Sequence, residues 1–213
     1  ILGKKIVLIE KDDEAKPDVG YERAKELIEK DKVVAVVGFA NFGVLSKAAP
    51  LFQNAKVPLI VSASAGGDIT RQLKTPAGTP NYIFRVVGRD ALQTKAMFKD
   101  LVDRNKITKI AILHDSTPYG EGGKANALED MKQRNLQPVA VESFKVGDTD
   151  MTAQLNKARA AGAQAIALYG LAAEDAMVVR SLAKMEWKVP VVATWTASQR
   201  SFIELGGDAA EGV

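Results

Sequence analysis

The sequence has no cysteine and a single histidine, His114. Without cysteine there is no disulfide, no thiolate nucleophile and no cysteine-ligated zinc, while the compartment is left open. With one histidine, any triad, histidine metal site or histidine proton shuttle has to use His114. That residue follows the apolar run Ile110–Leu113, where a histidine is expected to bond neighbouring backbone rather than to catalyse. No apolar run reaches the length of a membrane crossing, and the opening ILGKKIVLIE lacks the charged, apolar and small-residue order of a signal peptide. A soluble, mature segment is therefore expected. Aromatics are 6% of residues and the net charge of +3 is spread without a basic run, which argues against nucleic acid as a partner. No GxGxxG follows a predicted strand and no GxSxG occurs. Gly120–Lys124 fails as a phosphate loop, because Pro118 stands where the first glycine is needed and Ala125 where a hydroxyl would hold magnesium. The acid pairs Asp12 with Asp13 and Asp148 with Asp150 have no third ligand nearby and are expected as solvated loop acids.

What is present is an alternation of strand and helix patterns in a chain that is 46% hydrophobic and 26% charged, an ordinary globular composition. Its organising stretch is VVAVVGFANFGV, residues 33–44. Five apolar, mostly β-branched residues predict a strand buried on both faces, ended by Gly38 and feeding a helix from about Val44. Such a corner leaves helix amides unpaired at the carboxyl edge of a parallel sheet and attracts anions. Ser62–Gly67, after the short strand Leu59–Val61, predicts a second such corner, with Asp68 capping the turn that follows. Strand character is also predicted at Lys5–Glu10, and Asp18 is expected to cap a helix carrying Tyr21, Ala24, Leu27 and Ile28 on one face. After Gly88–Asp90 the alternation restarts, with strands at 110–113, 139–144, 165–169 and 191–193 and helices between them. Two consecutive βα blocks predict two parallel sheets, the first in residues 1–88 and the second in 89–213. Phe42, Tyr119 and Trp195 lie just past strands and are expected to wall a ligand, whereas Tyr169 ends its strand and suits core or ligand wall equally.

Taken together, IAILHDSTPYGEG at 110–122, VVAVVGFANFG, VPLIVSASAGGDIT and GGDAAEGV resemble the leucine/isoleucine/valine-type periplasmic substrate-binding proteins of ABC transporters. The similarity is collinear along the whole chain, and the HDxxxYGEG string is its most specific piece. The resemblance implies an α/β type I periplasmic-binding-protein fold, with two Rossmann-like lobes of parallel sheet that close on a small ligand. It also implies a non-enzymatic protein without cofactor, periplasmic or extracellular and membrane-tethered, whose partner is an ABC permease in the inner membrane. The first lobe is expected to be incomplete here, since the family's first strand would lie between Lys5–Glu10 and Val33–Val37 and the return to that lobe follows Val213.

By the same resemblance, the carboxylate cradle falls on Asn41, Phe42 and Gly43, and a second contact segment on Ala63, Ser64 and Ala65. The tyrosine that covers the ligand falls on Tyr119, a further contact on Tyr169 to Ala172, and the acid that pairs with an amino acid's ammonium on Trp195. Phe42 replaces a small hydroxyl residue and Trp195 replaces the acid. A desolvated ammonium needs a carboxylate or several acceptors, so the expected ligand is an organic or aromatic acid without an α-ammonium. Amino-acid binding by the same site and a ligand-sensing domain of the same fold are the alternatives. A doubly wound enzyme is a third, disfavoured by the missing motifs.

Overall fold

A computed structural model describes residues 3, 5–67, 69–73, 75, 76 and 78–213. The chain divides into two compact units, one formed by residues 1–64 and 68–87 and the other by 65–67 and 88–213. The cap expected at Asp68 lies outside the described residues.

In the first unit, helix α1 (Pro17–Lys25) precedes strand β1 (Val36–Gly38), helix α2 (Phe42–Ala55), strand β2 (Leu59–Val61), the short helix α3 (Ile69–Gln72) and strand β3 (Ile83–Arg85). The three strands pair in parallel in the order β1-β2-β3. The period of two along each strand sends Leu59, Val61 and Ile83 inward onto Leu45, Ala48, Ala49 and Phe52 of α2. The opposite row, Val37, Ile60 and Phe84, is aligned by strand register. Val37 is 68% exposed and Phe84 47% exposed. The strand expected at 33–37, buried on both faces, is thus shorter and shifted to Val36–Gly38, and the described residues leave one of its faces open. Nor does Lys5–Glu10 enter the sheet; Ile6, Val7 and Leu8 stand exposed. Asp18 is no cap either: it lies in the first turn of α1 behind the N-cap Lys16 and pairs with Lys47 of α2.

The second unit runs through α4 (Asp90–Phe98), β4 (Ile110–Asp115), α5 (Pro118–Gln133), β5 (Ala140–Phe144), α6 (Thr152–Ala160), β6 (Ala165–Tyr169), α7 (Ala172–Lys184), β7 (Val191–Ala193) and α8 (Arg200–Gly206). Its sheet is parallel throughout, in the order β5-β4-β6-β7. Both faces are covered here. Ile166 and Leu168 of β6 join Leu155 of α6 and Val178 and Leu182 of α7. Ala165, Ala167 and Tyr169 point the other way, onto Met97 and Phe98 of α4 and Ala127 and Met131 of α5. This double cover explains why all six residues of β4 and all five of β6 are buried. The expected α/β fold with parallel sheets is the one found.

Candidate functional site

The first unit's corner begins with strain. Phe39 follows β1 at φ 64°, in the left-handed region that bulky side chains avoid, and its ring is anchored edge-on against Phe52 at 6.0 Å. The turn directs the Phe39 carbonyl to the Ser64 N–H, which donates to it at 2.9 Å, while Ser62 N–H donates to the Gly38 carbonyl. The segments after β1 and β2 are thereby stitched together. Helix α2 starts at Phe42, two residues earlier than expected, because Asn41 caps it: Oδ1 accepts from Gly43 N–H at 2.7 Å and from Val44 N–H at 3.3 Å. The Asn41 carbonyl takes the Leu45 N–H. The amides expected to cradle an anion are therefore largely engaged by Asn41 itself, leaving Phe42 N–H as the first-turn amide that Asn41 does not hold. What Asn41 offers instead is its buried Nδ2, which has no partner among the described residues; Ser64 Oγ is likewise buried and unpartnered among them. Ala63 is half-buried and Ala65 buried, with the Ala65 carbonyl taking the Asp90 N–H.

In the second unit, the corner after β4 is closed by its own acid. Asp115 Oδ1 accepts from Thr117 N–H at 2.7 Å and Gly120 N–H at 3.2 Å, so the start of α5 is satisfied internally. Gly120 is required there, since a Cβ would lie 2.2 Å from the Asp115 carbonyl oxygen. His114 is buried and its Nδ1 donates to the Asp115 carbonyl at 2.8 Å, the backbone role expected of it. Tyr119, at the start of α5, is buried with its hydroxyl 2.6 Å from Thr194 Oγ1. Thr194 Oγ1 lies 2.9 Å from Thr196 Oγ1, and Thr196 Oγ1 donates to Asp175 Oδ2 at 2.9 Å. Trp195, between the two threonines, donates its backbone N–H to Gln93 Oε1 at 2.9 Å, while its indole Nε1 is buried without a partner among the described residues. Tyr169 packs in the core and its hydroxyl donates to Thr94 Oγ1 at 3.2 Å. Ala172, the first residue of α7, is buried beside Ala176 and Phe202.

Sequence reasoning missed Thr194, Thr196, Asp175 and Gln93. The available signal was the position of the threonines on either side of Trp195 just past β7, and an acid, Asp175, on the core-facing side of α7. Burial pushes the Tyr119 phenol up, with the charge of Asp90 adding and the bond to Thr194 opposing. Burial also holds Asp115 above the usual carboxylate range against its bonds to Thr117 and Gly120. It raises Asp175 further against the Thr196 bond, with the charges of Asp115 and Glu174 adding. The folded chain then keeps these protons to higher pH than the unfolded chain. Stability falls as pH climbs from the ordinary carboxylate range towards the raised folded values, by about 1.4 kcal/mol per pKa unit of elevation. Asp175→Asn, which no longer titrates, is expected to lose less stability than the wild type between acidic and neutral pH. Urea midpoints across that range check this; parallel curves for the two proteins would show that Asp175 is not held protonated by folding.

Each unit is a parallel βα sheet with orphaned polar groups just past its strands, where α/β folds place their ligand sites. The sequence matches the family described as periplasmic binding protein over residues 1–213, and the chain belongs to that family. It is 27% identical over 212 residues to the Leu/Ile/Val-binding protein homolog 3 of Brucella melitensis, covering 100% of this chain and 56% of that protein. It is 29% identical over 182 residues to an amino acid binding protein of Pseudomonas aeruginosa, covering 85% of this chain and 47% of that one. Among solved structures, the leucine binding protein LivK of Thermotoga maritima superposes with a TM-score of 0.86 at 24% identity, over 98% of this chain and 58% of that one. LivJ of Streptococcus pneumoniae, a branched-chain amino acid transporter substrate binding protein in complex with isoleucine, gives 0.84 at 24% identity, over 97% and 57%. The chain spans about half the length of the curated relatives it matches.

Proposed function

We propose that this chain belongs to an extracytoplasmic solute-binding protein of an ABC importer. In this reading its two units are lobes, meeting at the crossing expected near Gly88–Asp90, that close on a small carboxylate solute and deliver it to a permease in the membrane. One observation carries the reading. Among the described residues, every buried side-chain donor without a hydrogen-bond partner sits on a residue that the family resemblance assigns to the ligand: Asn41 Nδ2, Ser64 Oγ and Trp195 Nε1. A buried donor left unpaired costs about 1–3 kcal/mol, so three of them retained at such positions argue for an acceptor-rich occupant. A carboxylate fits, since its two oxygens accept several bonds and offer no donor.

The same donors serve an organic acid or an amino acid. Trp195 in place of an acid favours the first; the names of the relatives, leucine-, isoleucine- and amino-acid-binding, favour the second. Binding without turnover is the expected chemistry. Calorimetry of the full-length protein against a panel of amino, 2-hydroxy, 2-oxo and aromatic acids tests the reading, together with scattering on the tightest binder. Micromolar or tighter binding of one class with compaction of the protein is expected; a tight carboxylate that leaves the scattering profile unchanged would remove closure from the account.

A further inference from the structure

The hydrogen-bond chain from Asp175 to Tyr119 has a direction that can be counted out proton by proton. Each hydroxyl carries one proton. Thr196 Oγ1 has two polar neighbours, Asp175 Oδ2 and Thr194 Oγ1, both at 2.9 Å. A carboxylate oxygen is the stronger acceptor, so the Thr196 proton goes to Asp175. Thr196 can then only accept from Thr194, whose proton is spent there. Thr194 can in turn only accept from Tyr119, at 2.6 Å. The phenolic proton is thus committed inward, and the remaining lone pair of Tyr119 is all that it has to offer. This direction holds for an ionised Asp175; a proton on Oδ2 would instead donate to Thr196 and reverse the chain, making Tyr119 a donor towards the ligand, and the two directions are read apart by the state of the phenol. Asp115 at the end of β4 and Glu174 beside Asp175 on α7 add negative charge near Asp175, and Asp90 at the start of α4 does so near Tyr119.

We propose that Asp175 is a specificity-determining positioning residue: through Thr196 and Thr194 it makes Tyr119 an acceptor towards the ligand and so selects solutes that carry an N–H or O–H donor. This rests on the reading of Tyr119 as a ligand-covering residue. It narrows the ligand to a carboxylate that also bears an ammonium or hydroxyl, and it disfavours 2-oxo acids.

Raman spectroscopy of the full-length protein tests the chain without any ligand. The intensity ratio of the tyrosine Fermi doublet separates a phenol that donates from one that accepts, and subtraction of the Tyr119→Phe spectrum isolates Tyr119. The wild type is expected to read as a donor. In Thr196→Val, a change of similar volume, Thr194 loses its acceptor and turns its proton to the Tyr119 oxygen, so the ratio moves to the acceptor side. Asp175→Leu is expected to move it likewise, and Asp175→Asn, whose amide oxygen still accepts, to restore it. A wild-type phenol that reads as an acceptor, or a ratio unmoved in Thr196→Val, overturns the proposal. If Asp175→Leu does not fold, Thr196→Val decides alone. Calorimetry then reads selectivity with L-isoleucine, its 2-hydroxy analogue and its 2-oxo analogue. Thr196→Val should weaken the two donor-bearing solutes about tenfold and leave the 2-oxo acid unchanged. An equal loss for all three contradicts the selectivity claim. Failure of all three to bind the wild type removes this ligand class and the selectivity claim with it, while the Raman result still decides the direction of the chain.

Discussion

Gly123→Ala is expected to destabilise the protein, whereas Gly122→Ala, one residue earlier on the same helix, is expected to stabilise it. Both glycines lie inside α5 (Pro118–Gln133), where alanine is favoured over glycine by about 1 kcal/mol. At Gly122 nothing lies within 4 Å of the added methyl, so that gain is kept. At Gly123 the new Cβ would sit 2.4 Å from Tyr169 Cδ1, 2.7 Å from its Cγ and 2.8 Å from its Cβ. The obstruction is the root of a core side chain, not a flexible tip. Relief requires α5 to move off β6, and overpacking of this kind costs about 1–3 kcal/mol, which outweighs the propensity gain. Gly123→Val adds bulk and a β-branched penalty and should cost more still. Denaturant midpoints of the three variants check this; a Gly123→Ala protein as stable as Gly122→Ala would mean that the helix does not approach Tyr169 this closely.

The second large effect belongs to the unpartnered donors. Trp195→Phe keeps an aromatic face but removes Nε1–H together with part of the indole ring, whereas Ser64→Ala removes only the hydroxyl. Each deletes a donor that has no partner among the described residues, so Ser64→Ala should not reduce the stability of the ligand-free protein, while Trp195→Phe should lose only what the smaller ring gives up in packing. On the proposed reading, affinity for a carboxylate solute should fall about tenfold in each, and about a hundredfold in the double variant if the two act independently. Asn41 behaves differently because its Oδ1 caps α2: Asn41→Ala should lose affinity and about 1 kcal/mol of stability together. Unchanged affinity in the double variant would move the ligand away from these residues.

The second unit was almost fully legible in the sequence, and the first was not. Ile110–Leu113, Ala165–Tyr169 and Val191–Ala193 are short apolar runs between helix patterns, and burial on both faces gives such runs no alternative role. In the first unit the run Val33–Val37 has the same composition, yet only Val36–Gly38 pairs, because the described residues bring no second layer over Val37 and no strand on the edge of β1 opposite β2. The apolar pattern reports what a strand can bury, not what is there to bury it. The site divides similarly. Asn41, Ser64, Tyr119 and Trp195 were reachable from their positions after strands and from the family resemblance. The helix start at Phe42 was missed because an asparagine two residues before a glycine reads as a turn, and only its geometry reveals a cap. Asp175 was missed because an acid on a helix is ordinarily a solvent-facing residue; nothing in the one-dimensional pattern links it to Thr196, 21 positions on.

Native mass spectrometry of the full-length protein, freshly purified without exchange or refolding, tests the central claim most directly. The account predicts a single small adduct at one-to-one stoichiometry, released on denaturation as a carboxylic acid and lost when Ser64→Ala and Trp195→Phe are combined. A released solute without a carboxylate, or an adduct that survives the loss of both donors, would contradict it.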